Sequence, residues 1–307
     1  MTIAGHVERY IALKRRLGVK YEGPDQILMG YARYADTCGD RSIRSARMIE
    51  WAADASTVDS ARRRLELLRN FAIWLNAEDN GHEVPARNIL GRRYKGRPKP
   101  HLLTWEQIRL VMEEALGLPP AGSITPLTIH FMIGLIAATG LRASEAASLR
   151  LSDVTADGLV IRETKFRKTR LVVLHPSVRS ALDEYREIRN EMAEPGEYLF
   201  VISTGGPTSG SYLSRIFTRL ARKVGIKGGA GKIGPSLHSL RHSFAVRSLE
   251  AFESADPVKV NRHMAALSTY LGHACISSTY WYLEGTPTLL QSIADATESA
   301  HLRRVAQ

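Results

Sequence analysis

The sequence has only two cysteines, Cys38 and Cys275, in 307 residues. That is too few for a disulfide framework or a cysteine-rich zinc module. It also has no uninterrupted apolar run of membrane-spanning length. The nearest approach, Thr128 to Thr139, is too short and begins with Thr128-Ile-His130, so it reads as a buried core helix. The opening MTIAGHVERY lacks the apolar centre of a signal peptide. These absences predict a cytoplasmic protein with no membrane partner. Acidic residues are in deficit, 31 Asp+Glu against 42 Lys+Arg, for a formal net charge of +11. That balance favours an anionic partner, nucleic acid ahead of a membrane surface. A 44% hydrophobic fraction with 24% charged residues excludes wholesale disorder. At roughly 150 residues per domain, the length suggests two domains, each with its own core.

The first ninety residues carry helical patterns and no convincing strand. Val7, Tyr10, Ile11 and Leu17 fall at helical spacing within residues 2–20. Further helices are predicted over Pro24–Thr37, ending near Gly39, and over Ser45–Ala53. A fourth has an apolar series at Leu65, Leu68, Phe71 and Leu75, backed by Leu67 and Trp74. It also carries Arg62, Arg63, Arg64 and Arg69. A basic face on one helix usually means only solvation; basic faces summed over several helices favour nucleic acid. Residues 1–86 are therefore predicted to form a helical DNA-binding domain. Residues 87–100 follow as a linker with six basic residues (Arg87, Arg92, Arg93, Lys95, Arg97 and Lys99) and no acidic one. Such charge density suits a chain crossing a phosphate backbone, and the last five are expected to contact DNA.

The remainder, 101–307, is expected to be mainly helical with a small antiparallel sheet, an α+β domain. Thr104 and Gln107 form a capping-box pattern, and a buried helix over about 126–139 stops at Gly140. A short helix, Ala143–Leu149, precedes three β-like runs: Ser152–Val154, Leu159–Glu163 and Arg170–Leu174. Helices are then predicted over 177–192, 209–224, 236–252, 257–271 and, at the terminus, 287–303.

Two motifs mislead when read alone. Gly229-Ala-Gly231-Lys-Ile-Gly234 matches a dinucleotide-binding string, but a helix precedes it and no βαβ unit surrounds it. His238 and His242 stand four apart like a zinc pair, yet Ser239 occupies the place of the metalloprotease glutamate and no third ligand has familiar spacing. Neither a nucleotide, nor another cofactor, nor a metal is expected.

Taken in order, however, several segments resemble the tyrosine recombinase (phage integrase) family, including its transposon-borne members. Ala138-Thr-Gly-Leu-Arg142-Ala-Ser-Glu145 is similar to the first arginine box, and Thr164-Lys165 sits where a hairpin lysine belongs. His238-Ser-Leu-Arg241-His242 is similar to the second box. Leu271-Gly-His273, with Tyr282 nine residues on, is similar to the third box and nucleophile, and Tyr282-Leu-Glu-Gly-Thr-Pro resembles a transposon-borne tail. The resemblance spans the second domain in motif order, and the helical first domain and basic linker fit the family's core-binding region.

That resemblance implies cleavage and rejoining of double-stranded DNA through a 3′-phosphotyrosine bond, by a protein associated with the nucleoid when bound. It also implies a homo-tetramer on DNA, since strand exchange between two duplexes uses four active sites. A tyrosine supplies the attacking oxygen, and two guanidiniums, Arg142 and Arg241, suit the charge that builds on the phosphate oxygens. Lys165 is expected to protonate the leaving 5′-oxygen, with Lys168 as its competitor. His238 is expected to take the phenolic proton and His273 to donate to a phosphate oxygen. Glu145 is expected to orient a cation, and His242 to support the site. Tyr280, two residues from Tyr282, is the competing nucleophile. Cys275 is expected to be a small packing residue, and His263 a surface or core histidine. The alternatives are a relaxing topoisomerase of the same chemistry and a non-catalytic DNA-binding protein of the same fold.

Overall fold

Several helix starts along the chain are set by short polar side chains that satisfy free first-turn N–H groups. The Thr2 hydroxyl accepts from Gly5 N to start α1 (Ile3–Arg16). Pro24 opens α2 (Pro24–Thr37) behind Gly23, and α3 spans Ser45–Ala53. Thr57 caps α4 (Val58–Asn76), which begins seven residues before the apolar series that signals it. The computed structural model describes residues 2–19, 21–91, 100–162, 169–229, 234–252, 257–273 and 275–282. The linker cations Arg92, Arg93, Lys95, Arg97 and Lys99, the hairpin residues Lys165 and Lys168, and the helix expected over 287–303 lie outside these.

The chain divides into two compact units, Met1–Arg97 and Pro98–Gln307. In the first, Val7, Tyr10, Leu28, Tyr31, Leu68 and Phe71 share a buried core. Leu17, expected on the apolar face of α1, is exposed instead, because the helix ends at Arg16 and Leu17 only caps it. The basic face of α4 is also less free than its sequence suggests. Arg62 donates to the Leu90 carbonyl, Arg69 to that of Pro85, and Arg64 lies over the Trp51 ring. Arg63 remains exposed.

In the second unit, Thr104 and Gln107 complete their reciprocal cap at the start of α5 (Trp105–Ala115). The central element is α6 (Ile124–Thr139), apolar around nearly its whole circumference and correspondingly buried. It stops at Gly140, which adopts φ 65°. A Cβ there would stand 2.6 Å from a Phe244 ring carbon and 2.9 Å from a Leu271 methyl, so both the conformation and the space call for glycine. The chain turns at once into α7 (Ala143–Ala147).

Next comes a three-stranded antiparallel meander: β1 (Val154–Thr155), β2 (Gly158–Ile161) and β3 (Arg170–Val172). The first predicted run starts too early. Leu151–Asp153 forms a 3₁₀ turn, tied by the Asp153 carboxylate, which accepts from Arg150 N and Arg162 Nε. Then follow α8 (Pro176–Met192), α9 (Gly210–Lys223), α10 (Leu237–Glu250), α11 (Pro257–Leu271) and a single turn, α12 (Ser277–Tyr280), not expected from the sequence. The unit is mainly helical with a small sheet, as expected. Its site-bearing termini are the end of α6, the face of α10 and the turn after α11.

Candidate active site

Arg142 is the N-cap of α7, and Glu145 is the third residue of that helix. The spacing folds the carboxylate back on the cap. Glu145 Oε2 accepts from Arg142 N at 2.9 Å, and Oε1 accepts from Arg142 Nη1 at 2.6 Å. Arg142 Nη2 donates onward to the Gly272 carbonyl at 2.8 Å. One arginine thus ties the α6–α7 turn to the turn after α11.

Arg170 completes this cluster, and sequence reasoning missed it. It donates to both oxygens of Glu145, at 3.1 and 2.8 Å, and through Nε to the Tyr270 carbonyl at 2.8 Å. The Arg170 and Glu145 side chains are 9% and 7% exposed, so this is a buried bidentate pair. A signal was present in the third β-like run. Arg170 has the same parity as the apolar Val172 and Leu174, an inward-facing position in a strand, and pairs across the ladder with buried Ile161.

Arg241 lies on α10, 1% exposed, with Nη1 donating to the Gly140 carbonyl at 2.6 Å and Nη2 to that of Leu271 at 2.7 Å. The carbonyl of the left-handed glycine that ends α6 therefore holds one arginine, and the residue two positions later is the other.

Three histidines and a tyrosine complete the grouping. The Tyr282 side chain is buried among Ala245, Val246, Leu249, Met264, Leu267 and Leu271, with its hydroxyl 3.3 Å from His242 Nδ1. The His238 ring packs edge-on to His242 with centroids 4.4 Å apart. The His273 ring lies near-parallel to that of Tyr282 at 6.1 Å, and its Nδ1 is 2.7 Å from the Thr279 hydroxyl on α12. Tyr280, the competing nucleophile, is 42% exposed on the surface. The sequence expectation gives the phenolic proton to His238; in the structure the His242 ring also lies within hydrogen-bonding distance of the Tyr282 hydroxyl.

Burial and an excess of cations together set the proton affinities here. Burial alone would raise the Glu145 carboxyl, but hydrogen bonds from Arg170 and from Arg142 carry it down to about 2. Burial and then the charges of Arg241 and Arg142 push His273 down to about 4. His238 is lowered by the protein packed around it and by the same two arginines. Even Arg241 falls to about 10, through burial and the Arg142 charge. The site is preset to receive an anion, with His238 and His273 both less ready to take up a proton than a free imidazole.

Two other expectations are resolved by position. Cys275, expected to pack, is exposed, its Sγ 3.0 Å from the Ser277 hydroxyl, because residues 275–277 form the outer rim of the turn before α12. His263 stacks on Phe252 and its Nε2 meets the Ser248 carbonyl at 3.0 Å, away from the grouping.

Comparison with known proteins agrees with the geometry. The model of the phage integrase family matches residues 102–288, which take in every residue of the grouping. An integrase/recombinase of Sinorhizobium fredii, y4rB, is 33% identical over 299 residues, covering 93% of each chain. The tyrosine recombinase XerD of Rhizobium meliloti is 31% identical, over 81% of this chain and 76% of its own. Among solved structures, the Tn1549 transposon integrase bound to transposon right-end DNA superposes over 100% of both chains, with a TM-score of 0.65 at 18% identity. The chain thus belongs to the phage integrase family, the tyrosine recombinases that cleave and rejoin DNA.

Proposed function

We propose that the protein recombines DNA at specific sites through a 3′-phosphotyrosine bond on Tyr282, in the movement of a mobile element. The observation that carries this reading is the Tyr282 hydroxyl, 3.3 Å from a histidine nitrogen and in one cluster with His273 and two buried or half-buried arginines. The mobile-element role is supported by the sequence Tyr282-Leu-Glu-Gly-Thr-Pro and by the likeness to a transposon integrase. A double-stranded DNA partner is supported by the basic balance of the chain and by the transposon DNA held in that integrase structure.

In this reading, the Tyr282 oxygen attacks the scissile phosphorus while the bond to the 5′-oxygen breaks, and the phenolic proton passes to His242. Arg142 and Arg241 hold the two non-bridging oxygens, on which charge accumulates. His273, uncharged on entry, donates to one of them. Lys165 gives its proton to the departing 5′-oxygen, and the reverse sequence rejoins a new strand. Bond energy is conserved in the phosphotyrosine, so no nucleotide is consumed. Exchange between duplexes calls for four such sites, a homo-tetramer on DNA. Residues 1–86 act as the core-binding clamp, with the 87–100 linker crossing the backbone.

Tyr282→Phe removes only the hydroxyl and is expected to abolish covalent attachment to a nicked suicide duplex from the flanks of the gene, with DNA affinity nearly unchanged. Adduct that survives in Tyr282→Phe and disappears in Tyr280→Phe would move the nucleophile by two residues.

Each oxygen of Glu145 already accepts two N–H groups, which leaves it no lone pair to offer a cation, whereas a Mg²⁺ site wants free carboxylate oxygens. Adduct is therefore expected to form at full rate in EDTA. On a substrate with sulfur in place of the scissile 5′-oxygen, Lys165→Ala is expected to cleave almost as fast as the unmodified protein, yet stay slow on ordinary DNA. Inhibition by chelation, or failure of sulfur to restore the rate, would overturn the corresponding step.

Neutralising Arg92, Arg93, Lys95, Arg97 and Lys99 is expected to weaken binding to all sequences alike. The slope of log affinity against log salt should fall by about 0.9 for each DNA phosphate that the side chains no longer neutralise. An unchanged slope would mean that these side chains are only solvated.

A further inference from the structure

We propose that Arg170 is a positioning residue of the recombination site, whose charge cancels that of Glu145 and so leaves the full charge of Arg142 for the scissile phosphate. The inference rests on the reading of Arg142 as a phosphate clamp, and deepens it.

Glu145 is shared. Its Oε1 accepts from Arg142 Nη1 and Arg170 Nη1, and its Oε2 from Arg142 N and Arg170 Nη2. The trio of Arg142, Glu145 and Arg170 carries a net charge of about +1, and with Arg170 removed the remaining pair is neutral. Charge is what the clamp works with, because the half-buried site amplifies each unit over its value in water. Arg241, by contrast, is held by the carbonyls of Gly140 and Leu271, dipoles that orient it without cancelling its charge.

Arg170 also fixes the turn that carries His273. Its Nε donates to the Tyr270 carbonyl, and its guanidinium lies against Gly272, where a Cβ would fall 2.7 Å from Nη1. Arg142 grips the same turn through the Gly272 carbonyl. The left-handed glycine, φ 67°, is thus held between the two arginines. In the chain, Arg170 is the first residue of β3, five after Lys165, which ties the base of the lysine-bearing hairpin to the arginine clamp.

A merely bracing arginine and a charge-balancing one give different results when Glu145 is changed too. The test uses the full-length protein, single-turnover attachment to a nicked suicide duplex, and separate measurements of DNA affinity and thermal unfolding. Arg170→Met is expected to slow attachment on the order of 100-fold with affinity changed less than about threefold, and the 5′-sulfur substrate is not expected to restore the rate. The double variant Arg170→Met/Glu145→Gln is expected to recover about tenfold of that loss, since it restores the net charge of the trio. Arg170→Lys, which keeps the charge and loses the fork, is expected to fall between the two.

A double variant as slow as Arg170→Met, or slower, would show that Arg170 only braces the fold, and Arg170→Met attaching at the unmodified rate would also overturn the proposal. If Arg170→Met does not fold, Arg170→Lys and the double variant carry the test, because the first keeps a cation against Glu145 and the second removes the carboxylate that Arg170 neutralises. Tyr282→Phe in the same assay separates the two failures. Adduct formed without the hydroxyl overturns the tyrosine reading and this proposal with it, whereas a blank there, with no recovery in the double variant, overturns this proposal alone.

Discussion

One buried carboxylate organises the catalytic unit. Glu145 accepts from the side chain and backbone of Arg142 and from both terminal nitrogens of Arg170. Burying a carboxylate is costly by itself, and removing one partner from such a pair typically costs about 3–5 kcal/mol. The chain is built to keep both partners in place. Left-handed Gly140 ends α6 so that Arg142 can cap the next helix, and left-handed Gly272 lets the turn after α11 pass beneath Arg170. The carbonyls exposed at these two breaks become acceptors for Arg241 and Arg142.

The electrostatics follow from that arrangement. Arg142 and Arg170 share one carboxylate while Arg241 is held by backbone carbonyls, so these groups carry excess positive charge before any phosphate arrives. Burial first, and then this excess, lower His273 to about 4 and Arg241 to about 10. An entering phosphodiester, with its single negative charge, would reduce that excess and so raise the same groups. The charge gathered around Glu145 therefore also helps to set the resting protonation of the side chains beside it.

Much of this was legible in the sequence, for identifiable reasons. The bounds of α2 and α3 follow from Pro24, Gly39 and the polar break before Ser45, and the cap at Thr104 from its partner Gln107. The Arg142–Glu145 spacing is local, so their pairing could be expected from the helix alone. Arg170 was not found, because an arginine at a strand end reads as a surface residue unless its parity with Val172 and Leu174 is weighed. The pairing of His242 with Tyr282 depends on how α10 meets the turn after α12, a tertiary relation that no local pattern encodes. Leu17 and Cys275 depart from expectation for a simpler reason: one lies just after α1 and the other just before α12, outside any helix, where an apolar or small residue has no face to join.

The charge of the site depends on Glu145 remaining a carboxylate between two arginines. The most direct measurement is a carbon-13 titration of its side-chain carboxyl in glutamate-labelled protein, with the resonance identified by its loss in Glu145→Gln. A carboxyl depressed to about 2 stays ionised at every pH well above that value while the protein is folded. It contributes stability that is fully present above the ordinary glutamate value, near 4.5, and lost only as the pH falls toward 2. A resonance that stays unprotonated through pH 4.5 and begins to move only well below it is the predicted result. A midpoint at or above 4.5 in the folded protein would mean that the two arginines do not hold the carboxylate, and would contradict the account of how this site is charged.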